Sequence, residues 1–409
     1  MKILMLAPHP FYQPRGTPIA ADLVLRVLSE RGEQIDIVTF PEGSDIHYPN
    51  VTIHRTPALA ITKGIRPGFS IKKMLCDVFL LAQAIKLIKS KNAHYDVVHA
   101  GEEAVFVALL LKKLFGIPYV YDMDSSMIQQ LIDKYPQLRF FQKPLRACEG
   151  LAVRNANAVI AVCQALKTEI EPYCPKKVAV IPDISLLNTQ LRSPQEAPQE
   201  TTQEKIDSLK AQFNIAGELL MYVGNLESYQ GIDLLLASFA EALNQAPTAR
   251  LVAIGGNPSD IQKYQAQAQQ LGIGQQVHFI GPRPIAQLKQ YLDQADIVVS
   301  PRVHGNNTPM KLYSYLDSGK ALLATNLTTH TQVLTDQIAW LADPEVSSFA
   351  EGIAHLIAHP ELRQQLGKAA QAYIAHSHTY EAFSRKLKTL YDWVEDDLST
   401  NITTPSVLA

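Results

Sequence analysis

Lys311, Thr308, Asn306 and Asn307 fall together in the stretch Ser300 to Lys320, SPRVHGNNTPMKLYSYLDSGK. It follows a short apolar run, Ala295 to Val299, and passes through a polar loop into a helical pattern that closes at Gly319. A strand feeding a loop that opens a helix presents unpaired backbone N–H groups and the positive end of the helix dipole, which suits a phosphate. Lys311, in the first turn of that helix, is placed to meet a diphosphate. Thr308 and the two asparagines can hydrogen-bond sugar hydroxyls. The chemistry this set suits is handling of a sugar carried on a diphosphate.

Two further loops have the same form. In Pro8 to Ala20, Arg15-Gly16-Thr17-Pro18 offers the N–H groups of Gly16 and Thr17 to an anion, and a proline suited to a first helical turn. An ordinary strand–helix turn reads the same way, and the three-glycine dinucleotide spacing is absent. The second loop, Gly224-Asn225-Leu226-Glu227-Ser228-Tyr229-Gln230-Gly231, follows the apolar run Leu219 to Val223. Asp122 and Asp124 end another strand pattern, Tyr119 to Tyr121. Alternate carboxylates there resemble the metal-binding Asp-x-Asp of a different, one-domain glycosyltransferase fold. A two-domain repeat does not fit that reading, so the carboxylates are expected to face a cleft and bind sugar or acceptor hydroxyls. His99, Glu102 and Glu103 lie on the same rim, as substrate contacts or as helix caps.

The elements that must position these residues alternate. Short β-like runs separated by helical patterns fill residues 1–187 and again 210–380, which predicts parallel sheets covered on both faces. The fold class is α/β: two Rossmann-like parallel-sheet domains facing a central cleft, a common ligand site. Residues 188–209 are polar and Pro-containing, a linker. An amphipathic helix over 381–398 is expected to pack back on the N-terminal domain, and 399–409 to form a flexible tail.

The chain has 409 residues, too many for one compact core, and 47% of them are hydrophobic. Net charge is −2, but residues 1–185 carry 22 basic against 17 acidic side chains. The basic N-terminal half can attract an anionic surface or a phosphate-bearing substrate. Ser70 to Lys91 reads as an amphipathic helix with lysines at its ends. A membrane-surface element would look like this, and so would a sheet-packing helix with solvated lysines, the preferred reading. No run is long enough to span a bilayer, and the first apolar run meets Pro8 at once, so a cytoplasmic location is expected, with peripheral contact at the cytoplasmic membrane surface as an extension. Four scattered cysteines suggest reduced thiols and no zinc site. No basic–aromatic interleaving points to nucleic acid.

Together, Arg15-Gly16-Thr17, Asp96 to Ala100, Gly116-Ile117-Pro118, Gly224 to Gly231, Val277 to Gly281 and Lys311 to Lys320 resemble family 4 of the retaining glycosyltransferases, over nearly the whole chain. The resemblance implies the GT-B fold and transfer from a nucleotide-sugar, with a UDP-sugar favoured, to a hydroxyl of a lipid or glycan acceptor. It implies retention of configuration, an acceptor-binding N-terminal domain, a nucleotide-binding C-terminal domain, and no cofactor or catalytic metal. The base would sit near Gly281 to Arg283 and the ribose near Ser314.

Departures from the family pattern are specific. Its two glutamates, eight positions apart, correspond to Asn306 and Ser314. Its Arg and Lys after the C-domain strand correspond to Asn225 and Gln230, and a frequent histidine to Asp124. With two cations missing, the diphosphate charge is expected to fall to Lys311, Arg302 and helix N-termini. Lys311, Asp124 and Asp122 are therefore the catalytic candidates, with Gly16, Thr17, Glu102, Asn225, Gln230, Gly281, Arg283, Arg302, Asn306, Asn307, Thr308 and Ser314 as substrate contacts. A scaffold that binds nucleotide-sugar or glycan without transfer is the alternative.

Overall fold

The computed structural model describes residues 1–13, 16–59, 71–90, 94–187 and 206–403. Arg15, most of the expected linker, and residues 404–409 of the expected tail lie outside these. The chain divides into two compact units. The first runs to Pro182 and takes in the chain from Glu381; the second includes Asp183 to Leu187 and ends at Tyr380.

The first unit is built on a seven-stranded sheet in the order β3-β2-β1-β4-β5-β6-β7. Its strands are β1 (Lys2–Ala7), β2 (Gln34–Thr39), β3 (Val51–Arg55), β4 (Val97–Gly101), β5 (Tyr119–Met123), β6 (Ala158–Ala161) and β7 (Val178–Val180). All pairings are parallel. The second sheet has the order β10-β9-β8-β11-β12-β13, also parallel. It comprises β8 (Leu219–Val223), β9 (Arg250–Ile254), β10 (Val277–Gly281), β11 (Ile297–Ser300), β12 (Ala321–Thr325) and β13 (Trp340–Ala342).

The apolar runs are near-continuous because both faces of each sheet are covered. Along β8, Leu220 and Tyr222 enter one core and Leu219 and Met221 the other. In β11, Ile297 and Val299 face the first of these cores and Val298 the second. Strand order reverses direction between β1 and β4 in one sheet and between β8 and β11 in the other. In open parallel sheets ligands bind beyond the strand C-termini at such a reversal.

Helix Ile71–Ile88 exposes Lys72 and Lys86, and Lys89 just past its end is exposed too, but Lys73 is buried against two carboxylates rather than solvated. Residues 70 and 91 of the expected helix lie outside the described residues. Helix Tyr380–Thr403 runs past residue 398, through the first residues of the expected flexible tail. Its Leu387, Leu390, Tyr391 and Val394 are buried. Within the first unit Arg31 holds it through Asp392 at 2.8 Å and Glu395 at 2.6 Å.

Candidate active site

The second unit brings three segments to its strand reversal: the loop after β8, the loop after β11, and the start of helix Lys311–Asp317. Tyr315 ties the helix to β8, since Val223 N–H donates to its hydroxyl at 2.6 Å and that hydroxyl donates to Val223 carbonyl at 3.1 Å. Gly231 lets the first two loops touch. Its φ is +73°, and a Cβ there would lie 1.9 Å from the Pro301 carbonyl oxygen. No other residue fits without moving backbone.

Lys311 reaches from the helix start toward the first loop. Its ammonium donates to Gln230 Oε1 at 2.9 Å and lies 4.1 Å from the Tyr222 ring centroid. A Cβ on Gly224 would come within 3.5 Å of Nζ. Part of the residue stays open to solvent, yet burial of the ammonium pushes its pKa well below the usual lysine value, and the Arg302 charge adds to that. Among the described residues it forms no ion pair. A desolvated cation facing only neutral oxygen and a ring favours an arriving anion. Thr308, 2% exposed, has a hydroxyl with no hydrogen-bond partner among the described residues.

Beneath the second loop His330 is wholly buried. Its Nδ1 is 2.9 Å from Thr325 carbonyl oxygen and its Nε2 2.9 Å from Ser300 Oγ. Donation from Nδ1–H to that carbonyl leaves Nε2 to accept from the Ser300 hydroxyl. Burial lowers its pKa to about 3, so it is neutral. Thr325 Oγ1 donates to Arg302 carbonyl oxygen at 2.6 Å. This network fixes the end of β11, and no spacing betrays it because Ser300, Thr325 and His330 come together only when β11 and β12 pair.

Several expected site residues have other partners. The Arg302 guanidinium donates to the carbonyls of His304 and Asn307 and to Asn307 Oδ1, 5.2 Å from the Tyr229 ring centroid. It shapes the loop that holds it, and Asn307's oxygen is engaged with it. Ser314 is 1% exposed and its hydroxyl accepts from Leu186 N–H, so it is not open to a ribose. The helix face carrying Ser314 packs on the chain just after the first unit, which periodicity cannot reveal. Asn225 donates to the Tyr229 hydroxyl and accepts from Glu227 N–H. Gln230 is buried against Lys311. Asn306 is exposed beside this loop. Gly281 ends β10 with φ +71°, and Arg283, exposed, donates to the Tyr291 hydroxyl.

The first unit carries a pocket at its own strand reversal, lined by His9, Thr17, His99, Gly101, Asp122 and Asp124 among others. Thr17 stands in the first turn of helix Gly16–Glu30 and donates to Glu102 Oε1 at 3.3 Å. Glu102 has φ +45°, a left-handed conformation uncommon outside glycine and asparagine. Lys73 lies 3.5 Å from Glu102 and 2.5 Å from Glu103. Burial opposes its charge, but the two carboxylates prevail and raise its pKa. Burial, with neighbouring carboxylates, pushes Asp77 up to about 8 and Glu103 to about 7. Among the described residues no group of three or more His, Cys, Asp or Glu side chains is arranged to hold a metal ion.

The structure thus brings Lys311 and Gln230 into contact, and Thr17, Asp122 and Asp124 onto one pocket. Sequence reasoning missed His330, Tyr222 and Tyr391.

Comparison with known proteins matches residues 15–183 to the model described as Glycosyltransferase Family 4 and residues 205–373 to that of Glycosyl transferases group 1. The D-inositol 3-phosphate glycosyltransferase of Corynebacterium diphtheriae is 24% identical over 96% of this chain and 94% of its own length. An uncharacterised glycosyltransferase of Methanocaldococcus jannaschii is 21% identical over 96% and 98%. Among solved structures, sucrose-phosphate synthase from Thermosynechococcus elongatus superposes with TM-score 0.76 at 18% identity, covering 97% of this chain and 99% of that one. Anabaena HepE in complex with UDP-glucose gives 0.70 at 18%, over 96% and 99%.

Proposed function

Since the chain belongs to glycosyltransferase family 4 and is a transferase with the GT-B fold, we propose that it moves a sugar from a UDP-sugar, with retention, to a hydroxyl of a lipid or glycan acceptor. The observation that carries this reading is the Lys311 ammonium, desolvated at the second strand reversal with no carboxylate partner among the described residues. A diphosphate would supply the missing negative charge there. The fold neighbour crystallised with UDP-glucose supports the choice of uridine.

Breaking the sugar–phosphate bond places charge on the departing nucleotide. Lys311, Thr308 and the backbone at the start of helix Lys311–Asp317 stabilise that charge without reorganising. In this reading the leaving phosphate takes the acceptor proton, attack occurs on the face from which it departs, and no divalent metal takes part. The acceptor binds in the first unit's pocket, where Asp122 and Asp124 accept from its hydroxyls. Phe140 (92% exposed) and Phe141 (60% exposed), beside the exposed Arg139 and Lys143, give that unit an apolar and basic point of contact for a lipid surface. Among the described residues no helix is long and apolar enough to cross a membrane.

Calorimetry with UDP and a panel of UDP-sugars, followed by mass-spectrometric detection of the glycosylated product, tests the reading. Tight binding of UDP lost in Lys311→Met supports it; equal affinity in both rejects it. A second reading, a scaffold that binds without transfer, is favoured by Asn225 and Gln230 standing where the family has Arg and Lys. Nucleotide binding with no donor consumption over an acceptor panel, with or without chelator, would select it.

A further inference from the structure

Helices Ile71–Ile88, Ala104–Phe115 and Gln142–Asn155 cover the same face of the first sheet. Leu80, Ala108 and Val153, one from each, enter a core shared with Leu4 of β1 and Val98 of β4. A helix laid on a sheet needs one apolar stripe, and the side away from the sheet is ordinarily polar. Here the outward side is apolar too. Cys76, Leu80 and Ala84 of the first helix are buried, while Met74 and Val78, on its opposite side, are exposed. Leu110, Leu114 and Phe115 are exposed on the second helix, and Leu151 on the third. Phe140 and Phe141 stand on the 3₁₀ turn Pro136–Phe141 that leads into the third. Single exposed apolar side chains are ordinary on any surface; their concentration is not. Eight of the eleven large apolar side chains exposed among the described residues belong to this layer, and the other three, Leu59, Leu271 and Val346, lie on separate elements.

The exposed charges of the layer have one sign. Lys72, Lys86, Lys113, Arg139, Lys143 and Arg154 are exposed on these elements. The acids that the same elements carry are turned inward: Glu149 accepts from the Ser126 hydroxyl, and one Asp77 oxygen is shut off from solvent. No carboxylate among the described residues of these elements is exposed. Lysine and arginine stems cover apolar surface while their heads reach an anion above it. Large apolar and basic side chains so interspersed suit anionic headgroups over hydrocarbon. The apolar residues are also dispersed. They run from the first turn of one helix, at Met74, to the last turn of the next, at Phe115. The anchors of a protein interface gather near its centre instead, whereas a fluid bilayer accepts separated wedges.

We propose that the outward face of this helical layer docks on a bilayer rich in anionic lipid, its apolar side chains entering the interface and its basic ones meeting headgroups. The proposal widens the contact point at Phe140 and Phe141 to a whole face of the first unit, and it stands whether or not the transfer reading does.

The test is flotation of the full chain with vesicles of phosphatidylcholine alone and of phosphatidylcholine with about a third phosphatidylglycerol, at low and high salt. Wild type should bind the anionic vesicles about ten-fold or more tightly than the neutral ones, with the preference fading as salt rises. Val78→Ser with Leu114→Ser, on other helices than the phenylalanines, should weaken binding about ten-fold, as should Phe140→Ser with Phe141→Ser. Lys86→Gln with Lys113→Gln should lower affinity for anionic vesicles about thirty-fold at low salt, from about five-fold per basic side chain, and hardly alter it for neutral ones. Leu271→Ser, in the second unit, should bind as wild type does. The substituted side chains are exposed, so melting temperatures should stay close to that of wild type. Equal binding to the two vesicle types, or none to either, overturns the proposal. So does wild-type binding by the Val78 and Leu114 double variant, which would confine contact to the phenylalanines. A wild-type dimer in sedimentation that this variant abolishes also overturns it, by giving the face to a second copy of the chain. If a serine pair unfolds, the glutamine pair and the wild-type preference decide. Vesicle binding without UDP binding in calorimetry would sink the transfer reading alone. UDP binding without vesicle binding would sink this proposal alone.

Discussion

Replacing Lys311 with methionine separates its effect on catalysis from its effect on folding. The thioether fits the space of the lysine stem against Tyr222 and removes only the charge and its donor to Gln230. Opposite charges about 4 Å apart at an effective dielectric near 20 attract by ~4 kcal/mol. Loss of one preorganised donor from a developing oxyanion costs ~3–4 kcal/mol in comparable sites. The expected fall in kcat/KM is thus roughly 10²–10³-fold. The free protein should respond oppositely, because the lysine is a desolvated cation with no ion pair among the described residues, and an apolar replacement of such a charge is neutral or stabilising. The sign with pH follows from the lowered pKa. The unfolded chain holds the proton over the window between the depressed value and the usual 10.5, so wild-type stability rises with pH there and the difference from Lys311→Met shrinks. Binding of UDP should restore the usual pKa and draw a proton from solution in that window, read by calorimetry in buffers of different ionisation enthalpy. Turnover within three-fold of wild type, or a clear loss of stability in Lys311→Met at neutral pH, would refute the reasoning.

Three further outcomes follow from the buried groups. Asp77 has a folded pKa of about 8 against 3.8, so the fold holds the extra proton and loses stability as pH rises between those values; Asp77→Asn should raise the melting temperature at pH 8–9, with the gain fading toward pH 5 in differential scanning fluorimetry. His330→Ala leaves the Ser300 hydroxyl without its acceptor at a cavity and should cost about 2–4 kcal/mol in urea unfolding. Gly231→Ala forces the loops after β8 and β11 apart and should cost about 1–3 kcal/mol, weakening UDP binding more than acceptor binding, as separate titrations would report.

Local signals made much of the architecture legible. β8 is apolar throughout and β11 up to Ser300 because both sheet faces are covered, so run length alone marks them. The position of Lys311 at a helix start was legible because a strand and a polar loop lead into an amphipathic pattern there. Arg302 was not. A guanidinium near an expected diphosphate looks like a phosphate ligand, but five donors in a tight loop are met more cheaply by nearby carbonyls. Ser314 failed for another reason: which face of a short helix meets a returning segment depends on the chain from Asp183 onward. The Tyr391 hydroxyl lies 2.7 Å from His99 Nδ1 across 292 residues of chain, and no periodicity connects a polar tip on an amphipathic helix with a strand so distant.

The two strand reversals share one geometry and differ in charge, and that difference ties the site readings to the fold. Both units end two neighbouring strands where their covering helices diverge, which leaves backbone groups and strand-end side chains facing outward. Beyond β8 and β11 lies an ammonium that forms no ion pair among the described residues. At β4 and β5 the strand ends present carboxylates, one of them hydrogen-bonded to the buried His99 ring. A single anionic ligand cannot satisfy both. On the proposed reading the anion goes to the second unit and the hydroxyl-bearing acceptor to the first, the division a sugar transfer from a nucleotide diphosphate to an alcohol requires. Exchanging the signs by Asp122→Lys should therefore destroy acceptor use while leaving UDP affinity intact; an equal loss of both would show that the two sites do not divide the substrates in this way.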